Sequence, residues 1–300
     1  MIETVLEKVT NKNNFVTLQN YTDFALYFLE YIQKNKQATI VSQNEHVYNF
    51  YQYNSEANYQ VTRPFNSKIL YSHQDFLDNL GEFNKILKDL KSDRNHAKIL
   101  DRSIINRTIY TVQQTIGFAL DGLDANRTNV ARKLNGDYFE QLILLLLREI
   151  GAPANNGVVK VPVNMEDKQL FNMSYQHDLI LKDKKGEVKL IGSVKTTSKD
   201  RIGKIFVDKF LYSKLTETTV PHIAIFLHDV QRKRNKDPQK FGINGTFLAG
   251  HFKGYTVKLN PLDGVYYFDP RPQMQTDVLL SEHIQTFDHL LCDDIWSYVD

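Results

Sequence analysis

The stretch from Gln176 to Lys195 constrains the fold more than any other part of this 300-residue chain. Gln176-His177-Asp178-Leu179-Ile180-Leu181 and Val188 to Val194 are two runs of strand-forming residues, and Asp183-Lys184-Lys185-Gly186 between them is a turn signal. Two strands joined this way make a β-hairpin. A helical pattern from about Val130 to Ile150, with the apolar run Leu142 to Leu147, stops at Gly151-Ala152-Pro153 just before it. Further strands are predicted at Val158 to Val163 and His222 to Asp229, with a helix from about Lys199 to Lys214 between the hairpin and the returning strand. A helix, adjacent strands, a helix and a returning strand describe an α/β architecture, of the α+β kind, with a mixed sheet. Beyond a basic segment, Gln231 to Lys240, short strands are expected near Gly245 to His251, Tyr255 to Lys258 and Val265 to Phe268, and a closing helix near Ser281 to Tyr298.

The first 125 residues read differently. Phe24, Phe28, Tyr31 and Ile32 follow one helical spacing, and Phe76, Leu77, Leu80, Phe83, Leu87 and Leu90 another that opens at a capping Ser72. A third apolar run spans Ile104 to Leu120, and Val47 to Tyr53 is aromatic enough to be a strand or an aromatic loop. A mostly helical region, 1–125, is therefore expected ahead of a region 126–300 that carries the sheet.

The longest apolar stretch, Leu142 to Leu147, is far short of the roughly 20 residues a membrane span needs. One cysteine, Cys292, cannot form an internal disulfide, and the N-terminus has no apolar run behind a basic start, which points to the cytoplasm. Zinc is disfavoured, since one Cys and nine scattered His show no ligand spacing. With a net charge of +2 there is no global attraction to DNA, so any phosphate binding must come from local clusters of Lys and Arg.

The hairpin carries the chemistry. Side chains alternate along a strand, so Ser193 and Lys195 share a face and an acid on the neighbouring strand, Asp178, can meet them. Phosphodiester cleavage needs carboxylates to hold a hard divalent cation, and a positive group to position the attacking water and offset charge in the transition state. Asp178 and Lys195 suit those roles. One carboxylate is too few, and the second is expected from Asp208, on the following helix, or Glu140, on the preceding one. A bland reading stands beside each: Asp208 can pair with Lys204 one turn away, and Glu140 can be a polar residue on a buried helix.

The run Ser193-Val194-Lys195-Thr196-Thr197-Ser198-Lys199-Asp200-Arg201, with Asp208 later, resembles the CCGG-type branch of the PD-(D/E)XK restriction endonucleases. The match covers about Gly136 to Asp208. It implies a restriction-endonuclease-like core, Asp178 and Asp208 as ligands of Mg²⁺, Lys195 as the catalytic lysine, Ser193 in place of the acid before it, and Glu140 as a supporting acid. It also implies base reading by Lys199, Asp200 and Arg201, where arginine or lysine donates to guanine and an acid accepts from cytosine. The family usually has arginine at the place of Lys199 and Glu at the place of Asp208.

Arg232, Lys233, Arg234 and Lys236 crowd one segment that suits phosphate contact without reading sequence. His177, one residue from Asp178, points to the opposite face and is read as structural. The expected function is Mg²⁺-dependent cleavage of double-stranded DNA at a short, palindromic, G·C-containing site by a homodimer, in a restriction system that also holds a methyltransferase. A structure-specific repair nuclease of the same fold and a non-catalytic DNA-binding protein are the rivals. Discrete fragment ends would separate both from the expected function.

Overall fold

The apolar run of the central helix sets the architecture, because it lies between two sets of elements that must both cover it. In the computed structural model, which describes residues 2–53, 60–93, 102–165, 168–233, 235–237 and 240–299, that helix (α5) runs Thr128–Glu149. It buries Leu142, Ile143, Leu146 and Leu147. On one side stand α1 (Ile2–Thr10), α2 (Leu18–Asn35), α3 (His73–Ser92) and α4 (Ser103–Leu120). Two of these begin at capping boxes, Thr17 with Asn20 and Ser72 with Asp75, which satisfy otherwise orphaned N–H groups. From Thr108 to Leu120 every residue of α4 is buried, polar ones such as Gln113 and Thr115 included, so this helix is enclosed on all sides at the centre of the core. One continuous hydrophobic core runs from Val5 and Val9 through α4 and α5 to Leu179, Val194 and Trp296.

The N-terminal half also holds a four-stranded antiparallel sheet that the helical reading passed over: β1 (Lys36–Val41), β2 (Tyr48–Tyr53), β3 (Gln60–Val61) and β4 (Phe65–Asn66). The aromatic segment is thus a strand, and its Tyr48, Phe50 and Tyr53 are buried.

On the other side of α5 lies a six-stranded sheet with the order β12-β11-β8-β7-β6-β5. β5 (Ala154–Met165), β6 (Lys168–Lys182) and β7 (Val188–Thr197) are antiparallel, while β8 (His222–His228), β11 (Gly264–Asp269) and β12 (Ile284–Thr286) run parallel to β7. α6 (Ile202–Thr216) connects β7 to β8 and, with α7 (Ala249–Lys258), packs on the face turned away from α5. β9 (Val230–Arg232) and β10 (Ile243–Gly245) pair as a small ribbon beyond the end of β8.

Two expectations fail here. The short strands near Gly245 to His251 and Tyr255 to Lys258 are replaced by β10 and the helix α7. Phe, Tyr, Thr and Val favour strands locally, but Phe252 and Thr256 recur at helical spacing and are buried, with Phe252 5.5 Å from the ring of Phe206. After α8 (Pro272–Thr276), the single closing helix is instead broken into α9 (Val278–His283) and, beyond β12, a stretch that stays helical from α10 (Phe287–His289) through a π turn (Leu290–Asp294) to α11 (Ile295–Val299). Pairing of β12 with β11 interrupts it, Ile284 opposite Val265, so sheet hydrogen bonds replace helical ones over those residues.

The N-terminal sheet meets the carboxyl ends of β8 and β11 through a buried polar cluster. Asp269 accepts hydrogen bonds from Tyr48 Oη at 3.0 Å and Asn66 Nδ2 at 2.8 Å. Arg271 reaches Glu45 at 2.5 Å and lies 3.8 Å from Asp229. Buried charge is thus matched across the joint between the two sheets, although Asp229 Oδ1 and Arg271 Nη1 make no hydrogen bond among the described residues.

Candidate active site

The strand pair that should hold the site departs from regularity where the chemistry sits. On the β5 side of β6, Gly157 is opposite His177 and Asn155 is opposite Ile180, so one residue of β5 faces two of β6, Asp178 and Leu179. This is a β-bulge, and such bulges re-aim side chains. Its effect shows in the packing. Tyr175 and His177 stack at 5.9 Å and lie against Tyr212 of α6, whereas Leu179 and Leu181, which a regular strand would place on that same face, join the core beneath α5. His177 is therefore structural, as expected.

On its other side β6 stops pairing with β7 at Leu179 opposite Gly192. Past this point the Asp178 carboxylate itself accepts the backbone N–H of Val194 at 2.9 Å. Lys195 Nζ lies 2.6 Å from Asp178 Oδ2 and 2.8 Å from Glu140 Oε1 on α5. Asp178, Lys195 and Glu140 thus converge where the two strands separate. All three are partly shielded, with side chains 15%, 30% and 27% exposed, which strengthens the charge coupling without sealing the group from water.

Burial, and then the charge of Asp178, push the Glu140 carboxyl above the usual range. Burial alone would lower the Lys195 ammonium, but Asp178 and Glu140 outweigh it and hold it protonated. Two carboxylates that repel each other across one lysine form a site short of positive charge. Lys195 occupies Asp178 Oδ2 and Glu140 Oε1, and among the described residues Asp178 Oδ1 and Glu140 Oε2 have no partner. Hard oxygen donors of this kind, with water and a substrate phosphate, suit Mg²⁺, which commonly takes one or two protein carboxylates.

Asp208 is elsewhere. It forms an ion pair with Lys204 on α6, and its charge is felt by Tyr175 and His177 on the far face of the sheet. No hydrogen bond or ion pair among the described residues joins it to Asp178, Lys195 or Glu140. Ser193 is half-buried beside Ala224 of β8.

The site opens into a cleft of about 780 Å³ between the N-terminal half and the sheet. Glu140 and Lys195 line it together with Lys199 and Arg201. The loop carrying Lys199, Asp200 and Arg201 is exposed but anchored: Ser198 before it is buried, Thr246 bonds to both Thr197 and Ser198, and Arg201 N–H donates to the Ser198 carbonyl. Asp200 holds a left-handed backbone with φ of 53°, a conformation that Asp tolerates better than most residues. Arg232, Lys233 and Lys236 are exposed and do not line the cleft, with Arg232 lying over the Phe241 ring at 4.4 Å. Arg234 falls outside the described residues.

Four cleft residues carry no local mark in the sequence: Arg63, Arg132, Lys133 and Gln231. Arg63 comes from the N-terminal half and is fixed by Asp121, with Nη2 to Oδ1 at 2.7 Å and Nε to Oδ2 at 3.0 Å. It can lie flat on α4 only because of Gly117, where a Cβ would stand 2.6 Å from its guanidinium. Arg132 and Lys133 belong to the exposed first turns of α5, a stretch whose helical pattern alone gives no hint of a cleft.

No protein-family model and no curated protein matches the chain. A solved structure does: the type IIP restriction endonuclease Kpn2I superposes with a TM-score of 0.70 at 16% identity, covering 99% of this chain and 97% of that one. The fold is that of a restriction endonuclease. The restriction endonuclease PspGI, solved in complex with substrate DNA, is more distant, with a TM-score of 0.44 at 12% identity over 72% of this chain and 92% of that one. No helix among the described residues is long and apolar enough to cross a membrane.

Proposed function

We propose that this protein is a Mg²⁺-dependent endonuclease that cuts double-stranded DNA at a specific site. The observation that carries the reading is the convergence of Asp178, Lys195 and Glu140 where β6 and β7 separate, at the wall of a cleft whose other charged residues include Arg63, Arg132, Lys199 and Arg201. The likeness to Kpn2I across almost the whole of both chains supports it. Asp178 and Glu140 would hold the metal, which supplies Lewis-acid stabilisation of charge on the phosphate oxygens. Glu140 rather than Asp208 is the second carboxylate, since Asp208 is committed to Lys204 on the opposite face of the sheet.

Lys195 stays protonated beside two acids and orients the attacking water, while its charge offsets that building on the phosphorane-like transition state. Lys199 and Arg201 lie further along the same wall and, with Asp200 between them in the loop, read bases. Cutting both strands of a palindrome calls for two such sites related by a two-fold axis, so the working form is a homodimer, each copy reading one half-site with a G·C-containing core. In the cell such an enzyme works beside a methyltransferase that protects the host site.

The test is to incubate the purified protein with a phage genome in Mg²⁺ and in EDTA and to sequence the fragment ends. Discrete ends sharing a short palindrome, formed only with Mg²⁺, are the expected result. Random nicking would make it a nuclease of another kind, and intact DNA in both conditions would leave a binding role.

A further inference from the structure

Lys199 Nζ donates to the side-chain oxygen of Gln231, 3.1 Å away on β9. The direction of this bond is forced, because an ammonium has only donors and must face the amide oxygen. The amide nitrogen of Gln231 is thereby turned away from Lys199 and has no partner among the described residues. Lys199 keeps two further N–H donors. Both residues line the cleft that holds Lys195 and Glu140, and both are held in place from behind: Gln231 by the pairing of β9 with β10, and Lys199 by the buried Ser198 and its contact with Thr246.

We propose that Lys199 and Gln231 act as one composite reader of guanine, two side chains presenting side by side the pair of donors that a single arginine fork would present. The inference rests on the endonuclease reading and adds a residue to it. The chemistry selects the base. In the major groove guanine alone offers two neighbouring acceptors, O6 and N7. Adenine sets an N6 donor beside its N7, cytosine offers the N4 donor, and thymine has the single acceptor O4 beside a methyl group. A surface of donors only, with its one acceptor already used internally, is complementary to guanine and mismatched to the rest.

The experiment uses the full chain, the duplex defined by its own fragment ends, and copies of that duplex in which each guanine in turn is replaced by 7-deazaguanine, which lacks the N7 acceptor. Binding is measured with Ca²⁺ in place of Mg²⁺ for the natural chain, Gln231→Ala and Gln231→Glu, with melting and binding to unrelated duplex as checks on folding. At one guanine of each half-site the natural chain should lose about tenfold or more in binding on 7-deaza replacement. Gln231→Ala should bind the unmodified site weaker by a similar factor. Gln231→Glu keeps the link to Lys199 but puts an acceptor where the donor was, so it should bind the unmodified site no better than Gln231→Ala. The proposal is overturned if Gln231→Ala binds the unmodified site as well as the natural chain, or if no guanine of the site responds to 7-deaza replacement in the natural chain. A chain that cuts at no discrete site overturns the endonuclease reading and this inference with it, whereas a discrete site with an indifferent Gln231 overturns this inference alone.

Discussion

Two clusters of acid and base lie at the same end of the sheet and are built on opposite plans. At the separation of β6 and β7, Asp178, Glu140 and Lys195 keep part of each side chain in contact with water and leave carboxylate oxygens uncommitted. At the ends of β8 and β11, Asp229 and Asp269 are 3% and 1% exposed; Tyr48 and Asn66 donate to Asp269, and Arg271 lies 3.8 Å from Asp229. The first is short of positive charge and open to a ligand, and the second is closed within the protein. Ionisable residues thus face a cleft in one place and join two sheets in the other, and solvent access to the carboxylates, rather than charge count, tells them apart.

The largest effect should come from Lys195→Ala. Cleavage is expected to fall by at least about a hundredfold while duplex binding survives, and full activity in this variant would remove the distinction between the clusters. Arg271→Ala should do the reverse. It leaves the buried Asp229 and the partly exposed Glu45 without their cation, so stability should fall by about 1–3 kcal/mol, with activity per folded molecule unchanged. Urea melts and active-site titration would show it.

The closed cluster should also impose a pH dependence. Burial pushes Asp269 up to about 7 and Asp229 up to about 6. The unfolded chain releases these protons near the ordinary carboxylate value of about 4. Stability from the protonated forms is therefore complete below about pH 4 and is lost as pH rises from there to about 7. Asp269→Asn, which cannot ionise, should remove roughly 2–4 kcal/mol of that decline, measured by urea melts across the window. Equal slopes in both proteins would mean that the cluster is not closed.

The smallest effect is expected at Asp208. Asp208→Ala breaks only a surface pair with Lys204, worth at most about 0.5 kcal/mol. Cleavage should stay within about twofold of the natural chain, while Glu140→Gln loses about a hundredfold or more. Parity between these two variants would reverse the choice of second metal ligand.

Much of this arrangement is legible in the sequence. Alternating apolar residues around an Asp-Lys-Lys-Gly turn give the hairpin, the Leu run gives α5, and the expectation that Asp178 meets Lys195 follows from strand geometry alone. Other features depend on partners distant in sequence. Asp208 has a routine partner four residues away, and helical spacing alone does not say which sheet face it meets. The N-terminal strands β3 and β4 are two residues each, too short for any periodicity. Gln231 is one polar residue among basic neighbours until β9 folds beside the Lys199 loop. The bulge at Asp178 is invisible because it exists only relative to β5.

That bulge divides the hairpin into two phases. Outboard of it, β5 and β6 pair from Met165 opposite Lys168 back to Gly157 opposite His177, past the last residues of β6 that pair with β7, and only the tip beyond Val161 and Tyr175 is clear of the buried cluster with Ile191 and Tyr212. Removing one residue from each strand there shortens the arm and leaves every side chain nearer the site on its original face. Asp178 is itself one of the two bulged residues, so taking a residue out at this point either deletes the carboxylate or shifts it along the strand relative to Lys195. Length is free to vary at the exposed tip of the arm and fixed at Asp178.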